Sequence, residues 1–359
     1  MARSALIDRR SFMAAAGAAF LSALPDRQLM ALTRADAVYA AGFRAPDGSY
    51  GIATATERGE IVARIALPAR AHGLATCQAT GRCAAFARRP GTFAMIFDAV
   101  LAKPVTIIHT PPERHFYGHG KFSPDGHLLY ASENHFAENR GVIGVYDARN
   151  DFARIGELDA YGIGTHDMSV SDDGTRLIIA NGGIATHPDF GRTKLNLDEM
   201  QPSLVLVDAQ SGALVQKHSL PPALSRLSTR HIDLADKGRI WFACQYEGSR
   251  NDHPPLTGYF AEGDDIQFID LPEPVTEALG HYIGAIAVNR RENIVGLASP
   301  KGGTLLLLNS RTGAIIGQRK IQDAAGVAPA TGTIAASSYG GLLAQTISPL
   351  AWDQHLVRL

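Results

Sequence analysis

The sequence predicts an all-β fold: a single β-propeller, counted at seven blades, closed by strands from both chain ends in one blade. Three observations predict it. Short β-type runs recur at intervals of roughly 40–50 residues with turn residues between them. No sustained helical periodicity follows residue 37. The C-terminal strand, 352–359, is free to complete the partial blade begun near the N-terminus.

The first element reads as an address. Asp8-Arg9-Arg10-Ser11-Phe12-Met13 pairs two arginines with an apolar residue two places on, and an Ala-rich run, Ala14-Ala15-Ala16-Gly17-Ala18-Ala19-Phe20-Leu21, follows. This is the pattern of a twin-arginine export signal, and the run is too short to span a bilayer comfortably. Ala35-Asp36-Ala37 offers a cleavage site, with Ala23 a second possibility. The competing reading is an amphipathic N-terminal helix of a cytosolic protein. The expected division is therefore signal and linker over 1–37 and propeller over 38–359, with a folded protein delivered to the bacterial periplasm. Nothing later in the chain is long and apolar enough for a membrane helix.

Strands near 38–43, 50–54 and 61–67 make the partial blade. A degraded unit begins at His72 and continues through Ala84-Ala85-Phe86-Ala87 and Phe93-Ala94-Met95-Ile96-Phe97. Regular units follow, opening with His119-Gly120-Lys121-Phe122-Ser123-Pro124-Asp125-Gly126, His166-Asp167-Met168-Ser169-Val170-Ser171-Asp172-Asp173-Gly174 and His231-Ile232-Asp233-Leu234. Their Asp-Gly pairs are hairpin chemistry. A further unit runs from Ile283-Gly284-Ala285, and a last one occupies 326–347.

Composition narrows the function. Lys and Arg total 34 and Asp and Glu 35, a net charge of −1, so there is no basic excess to hold nucleic acid. Hydrophobic residues at 45% suffice for a large core. Three cysteines exclude a disulfide-dense scaffold; Cys77 and Cys83 either pair or lie buried as free thiols. Gly-x-Ser-x-Gly, a Walker A loop, H-E-x-x-H and C-x-x-C-H are all missing.

The histidines carry the main signal. His72, His119 and His166 recur every 47 residues, and His231 follows after the long insertion 182–202. Each precedes by three or four residues the same position of its first strand: Thr76, Phe122, Val170 and Leu234. His355 takes that place if the last strand is innermost in the shared blade, whereas His281 comes too early to align. First strands line a propeller's central channel, so equivalent residues meet around its axis. A ring of neutral imidazoles there suits a transition metal ion such as iron or copper. The competing reading for any one histidine is a cap on the turn entering its strand. Arg88, Glu133, Asn181 and Gln245 follow second strands and are expected on the same face as residues binding the cofactor or supporting its ligands, or else as ordinary loop residues. The insertion, with Thr186-His187-Pro188-Asp189, leaves and re-enters on that face and is expected to lie over the channel, or else to be a surface excursion.

Several segments resemble an uncharacterised family, domain of unknown function 1513: Phe86-Ala87-Arg88-Arg89-Pro90-Gly91-Thr92, Gly118-His119-Gly120, Ala180-Asn181-Gly182-Gly183-Ile184, Thr186-His187-Pro188-Asp189, Tyr282-Ile283-Gly284, and Trp352-Asp353 with His355-Leu356. The resemblance covers nearly all of 38–359. It implies an exported propeller encoded near imelysin-like and di-haem-oxidoreductase-like iron-uptake components, hence periplasmic metal handling and an imelysin-like or cytochrome-like partner. Thr76-Cys77-Gln78 departs from the regular turn and makes His72 the weakest ring member. Three functions follow as expectations: a metal-binding propeller in iron or copper acquisition, a metal-dependent oxidoreductase or hydrolase at the same channel mouth, or a scaffold for iron-uptake partners.

Overall fold

The computed structural model describes residues 37–359. The twin-arginine segment and its cleavage sites up to Asp36 lie outside the described residues. Seven four-stranded antiparallel sheets stand around a central axis. Blade 1 is the shared blade: the C-terminal strand Ala351–Arg358 is innermost, followed outward by Tyr39–Arg44, Tyr50–Ala55 and Ile61–Leu67. Blades 2 to 7 each run from inside to outside in chain order, with innermost strands Ala71–Thr76, Arg114–Phe122, Thr165–Val170, Leu227–Leu234, Ala285–Asn289 and Ala324–Ala330. Every innermost strand touches the next around the circle, so the ring is closed. Among the described residues no helix is long and apolar enough to cross a membrane.

The middle strands of each blade are buried on both faces, because a neighbouring blade covers each side. Ser203–Asp208 and Arg140–Asp147 are therefore nearly continuous apolar runs. Outermost strands such as Leu214–Ser219 carry exposed polar residues. Blades 2 and 3 interlock through Phe86 on Phe116 at 5.5 Å, and within blade 3 Phe122 packs on Phe152 at 6.3 Å. The Asp-Gly turns recur as one device. Ser123 Oγ donates to Asp125 Oδ1 at 2.5 Å, and Ser171 Oγ to Asp173 Oδ1 at 2.5 Å; Gly126 and Gly174 follow at φ +72° and +74°.

Closure rests on Trp352, which is fully buried in the C-terminal strand. Its Nε1–H donates to Gly341 O at 3.1 Å, tying blade 1 to blade 7, and Phe43 packs edge-on at 6.2 Å. Cys77, Cys83 and Cys244 are buried free thiols.

Five innermost strands carry a break in pairing where their histidine stands. The register against the neighbouring strand shifts between Ala71 and Leu74, Phe116 and Gly120, Thr165 and Asp167, Thr229 and His231, and across 353–355 where Ala41 and Phe43 face Leu356 and Trp352. A β-bulge bends the strand and re-aims a side chain. Here it turns each histidine toward the axis.

Candidate metal centre

His355, His72, His119, His166 and His231 come from five consecutive blades and converge. Ring centroids lie 4.7 Å apart for His355 and His72, 5.9 Å for His72 and His166, 4.7 Å for His166 and His231, and 5.0 Å for His231 and His355. His119 stands 4.6 to 5.4 Å from all four. Four rings thus outline a quadrilateral and His119 caps it. The breaks that hold His119 and His355 each span three residues, against one or two at the other histidines.

The packing is close enough to demand glycine. Gly118 sits at φ +106°, and a Cβ there would stand 2.7 Å from the His72 ring. A Cβ on Gly73 would meet Gly118 O at 2.4 Å and His119 Nδ1 at 2.9 Å. Gly118-His119-Gly120 and His72-Gly73 are therefore parts of one fitted arrangement. Blades 6 and 7 bring no histidine. Gly284 precedes the first strand of blade 6 and Gly326 stands in that of blade 7; a Cβ would meet Gln354 Nε2 at 3.0 Å from the first and Leu356 N at 2.5 Å from the second.

Burial sets the charge state. It pushes the His119 pKa down to about 4, against a weaker upward pull from Asp167. Burial likewise, followed by neighbouring imidazoles, holds His72, His166 and His355 well below the ordinary range. His231 is also lowered by burial, partly offset by Asp167. The rings are neutral at pH 7 and free to ligate. Six of their buried nitrogens have no hydrogen-bond partner: His72 Nδ1, His119 Nε2, His166 Nε2, both nitrogens of His231, and His355 Nε2. The ligand atoms of His72, His119 and His166 lie within 4.8 Å of one another, as do those of His119, His231 and His355.

Asp167 is the carboxylate of the cluster. Its Oδ1 lies 3.3 Å from His119 Nδ1, and its Oδ2 lies 3.8 Å from His231 Nδ1, beyond hydrogen-bond range. The Met168 N–H at 2.8 Å and the Ile232 N–H at 3.2 Å hold it in place, the latter from the next blade. Beyond His119 a channel of about 400 Å³ runs along the innermost strands past Asp167, Asp233 and Arg290. A larger cleft of about 540 Å³ lies elsewhere, beside Arg239, Tyr259 and Arg311, and contains no histidine.

Of the four residues expected to support the site, only Arg88 reaches it. Its N–H donates to Arg70 O where blade 2 begins, and its guanidinium lies 3.8 Å from Asp353, close enough to depress His72 and His355 further. Glu133 turns away. It is fully buried within blade 3, accepting from Tyr146 Oη at 2.7 Å and Arg154 Nη2 at 3.0 Å. Asn181 is consumed by structure: it accepts from Thr165 Oγ1 at 2.6 Å and donates to Ala160 O at 2.8 Å. Gln245 pairs through its backbone with Ser228 and Tyr282, and among the described residues it makes no hydrogen bond to an imidazole. Two residues outside that set act on the imidazoles directly, Asp167 and Arg230, while Arg70 and Asp353 pair with each other beside Arg88. The only sequence signal of the first two is adjacency, since Asp167 follows His166 and Arg230 precedes His231.

The insertion spans the loop face. Its Thr186 O accepts from Asn134 Nδ2 of blade 3 at 3.0 Å, its Lys194 pairs with Glu247 of blade 5, and its Asp198 meets Arg226 at 2.7 Å. His253, Glu273 and Glu277 make a separate, exposed grouping with contacts of 3.6 Å.

The family model described as "Protein of unknown function (DUF1513)" matches residues 65–359. The chain belongs to this family. The match begins in the outer strand of blade 1 and takes in all five histidines of this DUF1513 protein. No curated protein sequence matches it. Among solved structures it is similar to Kuenenia stuttgartiensis hydrazine synthase, with 12% identity, TM-score 0.60, and coverage of 82% of this chain and 91% of that one. It is also similar to the β-propeller domain of Myceliophteria thermophila Cps50 (Swd1), with 11% identity, TM-score 0.59, and coverage of 85% and 90%. At such identities the likeness concerns the propeller fold alone.

Proposed function

We propose that this propeller binds one transition metal ion, iron or copper, at the cluster of His72, His119, His166, His231 and His355, and serves metal acquisition in the periplasm. The observation that carries the reading is the set of six partnerless ring nitrogens in one neutral cluster. A buried polar atom left unpaired costs about 1–3 kcal/mol, and native proteins hold few of them. Five converging imidazoles with one shared deficit call for one shared partner.

Size supports the same reading. The centre of a flat quadrilateral with the observed edges lies about 3.6 Å from each outer centroid and about 3.5 Å from His119. An ion ligated by imidazole at about 2.0–2.1 Å sits about 3.2 Å from the ring centroid, so small side-chain movements suffice. Imidazole suits iron and copper, and five such donors exceed the four of a tetrahedral zinc site. The twin-arginine pattern supports export in the folded state, and the family resemblance supports an imelysin-like or cytochrome-like partner.

A second reading is favoured by the histidine-free side toward blades 6 and 7 and by the channel reaching His119. A ligated ion with a vacant side is the arrangement of a metal enzyme, here an oxidoreductase or hydrolase. The test of the first reading is metal analysis of protein isolated from the periplasm. About one equivalent of iron or copper is expected, and less than a tenth of that in the variant His119→Ala/His166→Ala/His231→Ala. Equal metal in both would overturn it.

A further inference from the structure

The loop side of the histidine cluster carries more cations than anions. Arg88 and Arg89 come from blade 2, Arg230 directly precedes His231 in blade 5, and Arg192 belongs to the insertion. Geometry ties these segments together: Lys194 of the insertion and Arg230 share the carboxylate of Glu247, the latter at 3.7 Å. Each of the two acidic side chains at hand has one oxygen engaged, while Asp353 Oδ2 and Glu247 Oε1 have no hydrogen-bond partner. Asp353 accepts from Arg70 Nε at 2.6 Å and stands 3.8 Å from Arg88, and Glu247 is held by Lys194.

Among the described residues, Arg89 and Arg192 have no carboxylate within ion-pair distance. Arg88 Nη1 and Arg230 Nε are buried with no hydrogen-bond partner. Arg192 is exposed, and partial desolvation together with the nearby guanidiniums of Arg88, Arg89 and Arg230 lowers its pKa to about 10. Burying like charges together is costly unless an anion joins them.

We infer that Arg88, Arg89, Arg192 and Arg230 form an oxyanion site over the imidazoles, suited to a small polyvalent carboxylate or phosphate. Guanidinium groups present paired N–H donors, the geometry that carboxylate and phosphate oxygens accept. The anion lies on the loop side, whereas His119 faces the channel. Its coupling to a bound ion rests on the metal reading; its binding to the arginines does not. The metal would then arrive as, or be completed by, an anionic oxygen chelate.

The test is calorimetric titration of the metal-free protein with citrate and with inorganic phosphate, using chloride at equal ionic strength as reference. Wild type is compared with Arg89→Gln/Arg192→Gln and with His119→Ala. We expect at least one oxyanion to bind wild type and His119→Ala alike, and at least ten-fold more weakly to the double arginine variant. Preference for citrate assigns a carboxylate and preference for phosphate a phosphate; either supports the site. Binding of neither anion to wild type, or equal affinity in the double variant, overturns it. Should the double variant not fold, the wild-type titration decides alone. Metal uptake without anion binding removes this inference and leaves the metal reading standing; anion binding without metal uptake does the reverse.

Discussion

Acidifying the metal-free protein will remove stability through its central histidines. His119 shows the magnitude. Its pKa falls from the ordinary 6.5 to about 4 on folding, chiefly through burial. The unfolded chain takes up a proton below about pH 6.5, while the folded chain refuses it until about pH 4. The stability contributed by the neutral ring is therefore complete above that window. It is lost as pH falls through the window and levels off below it. At about pH 5 the loss for His119 alone is about 2 kcal/mol. His72, His166 and His355, held well below the ordinary range, and His231, also lowered, carry the same sign, so their losses add. Against a usual total of about 5–15 kcal/mol this is a large share. The assay is equilibrium guanidinium unfolding with a chelator present, at about pH 7.5 and about pH 5. The wild-type midpoint should drop sharply, and His119→Gln should recover roughly its 2 kcal/mol share of the difference. An unchanged midpoint, or one that rises in acid, would refute the reasoning.

Three further outcomes are expected. Asp167→Asn should weaken metal binding by about 10–100-fold while leaving the unfolding midpoint nearly unmoved, since the carboxylate orients His119 rather than ligating; competition titration against a chromophoric chelator measures it. Glu133→Gln should cost about 3 kcal/mol of stability by breaking the buried pair with Arg154, with metal stoichiometry unaltered; guanidinium unfolding and metal analysis on the same preparation check both halves. Trp352→Ala should cost about 3–5 kcal/mol by opening the seam between blades 1 and 7, visible in thermal unfolding.

The circular fold was legible because its signals are local. Hairpin turns such as Ser123-Pro124-Asp125-Gly126 and the recurrence of apolar strands need no tertiary knowledge, and the lone strand ending at Leu359 had one place to go. The histidines were legible because 47-residue spacing in a ring fold places them at one level. His72, in the least regular unit, joins the cluster nonetheless, because the break between Ala71 and Leu74 re-aims it.

What surrounds the histidines was less legible, for a related reason. A β-bulge changes which side of a strand the next residue faces, and nothing in the sequence marks its position. Asp167 would face away from His166 on a regular strand, yet the bulge brings its carboxylate to His119. Glu133 was expected in a loop past the second strand. That strand instead continues to His135, and the carboxylate is buried within blade 3 among Tyr146 and Arg154. Asn181 does end its strand, but the Thr165 hydroxyl and Ala160 carbonyl claim its amide.

The central claim is that five imidazoles share one ion. Anomalous X-ray diffraction at the iron and copper absorption edges, on crystals of protein isolated with its native metal, tests it most directly. The account predicts one strong peak about 2.0–2.3 Å from His119 Nε2 and inside the quadrilateral of the other four rings. A peak only at His253, Glu273 and Glu277, or no peak with the rings spaced as they are here, would contradict it.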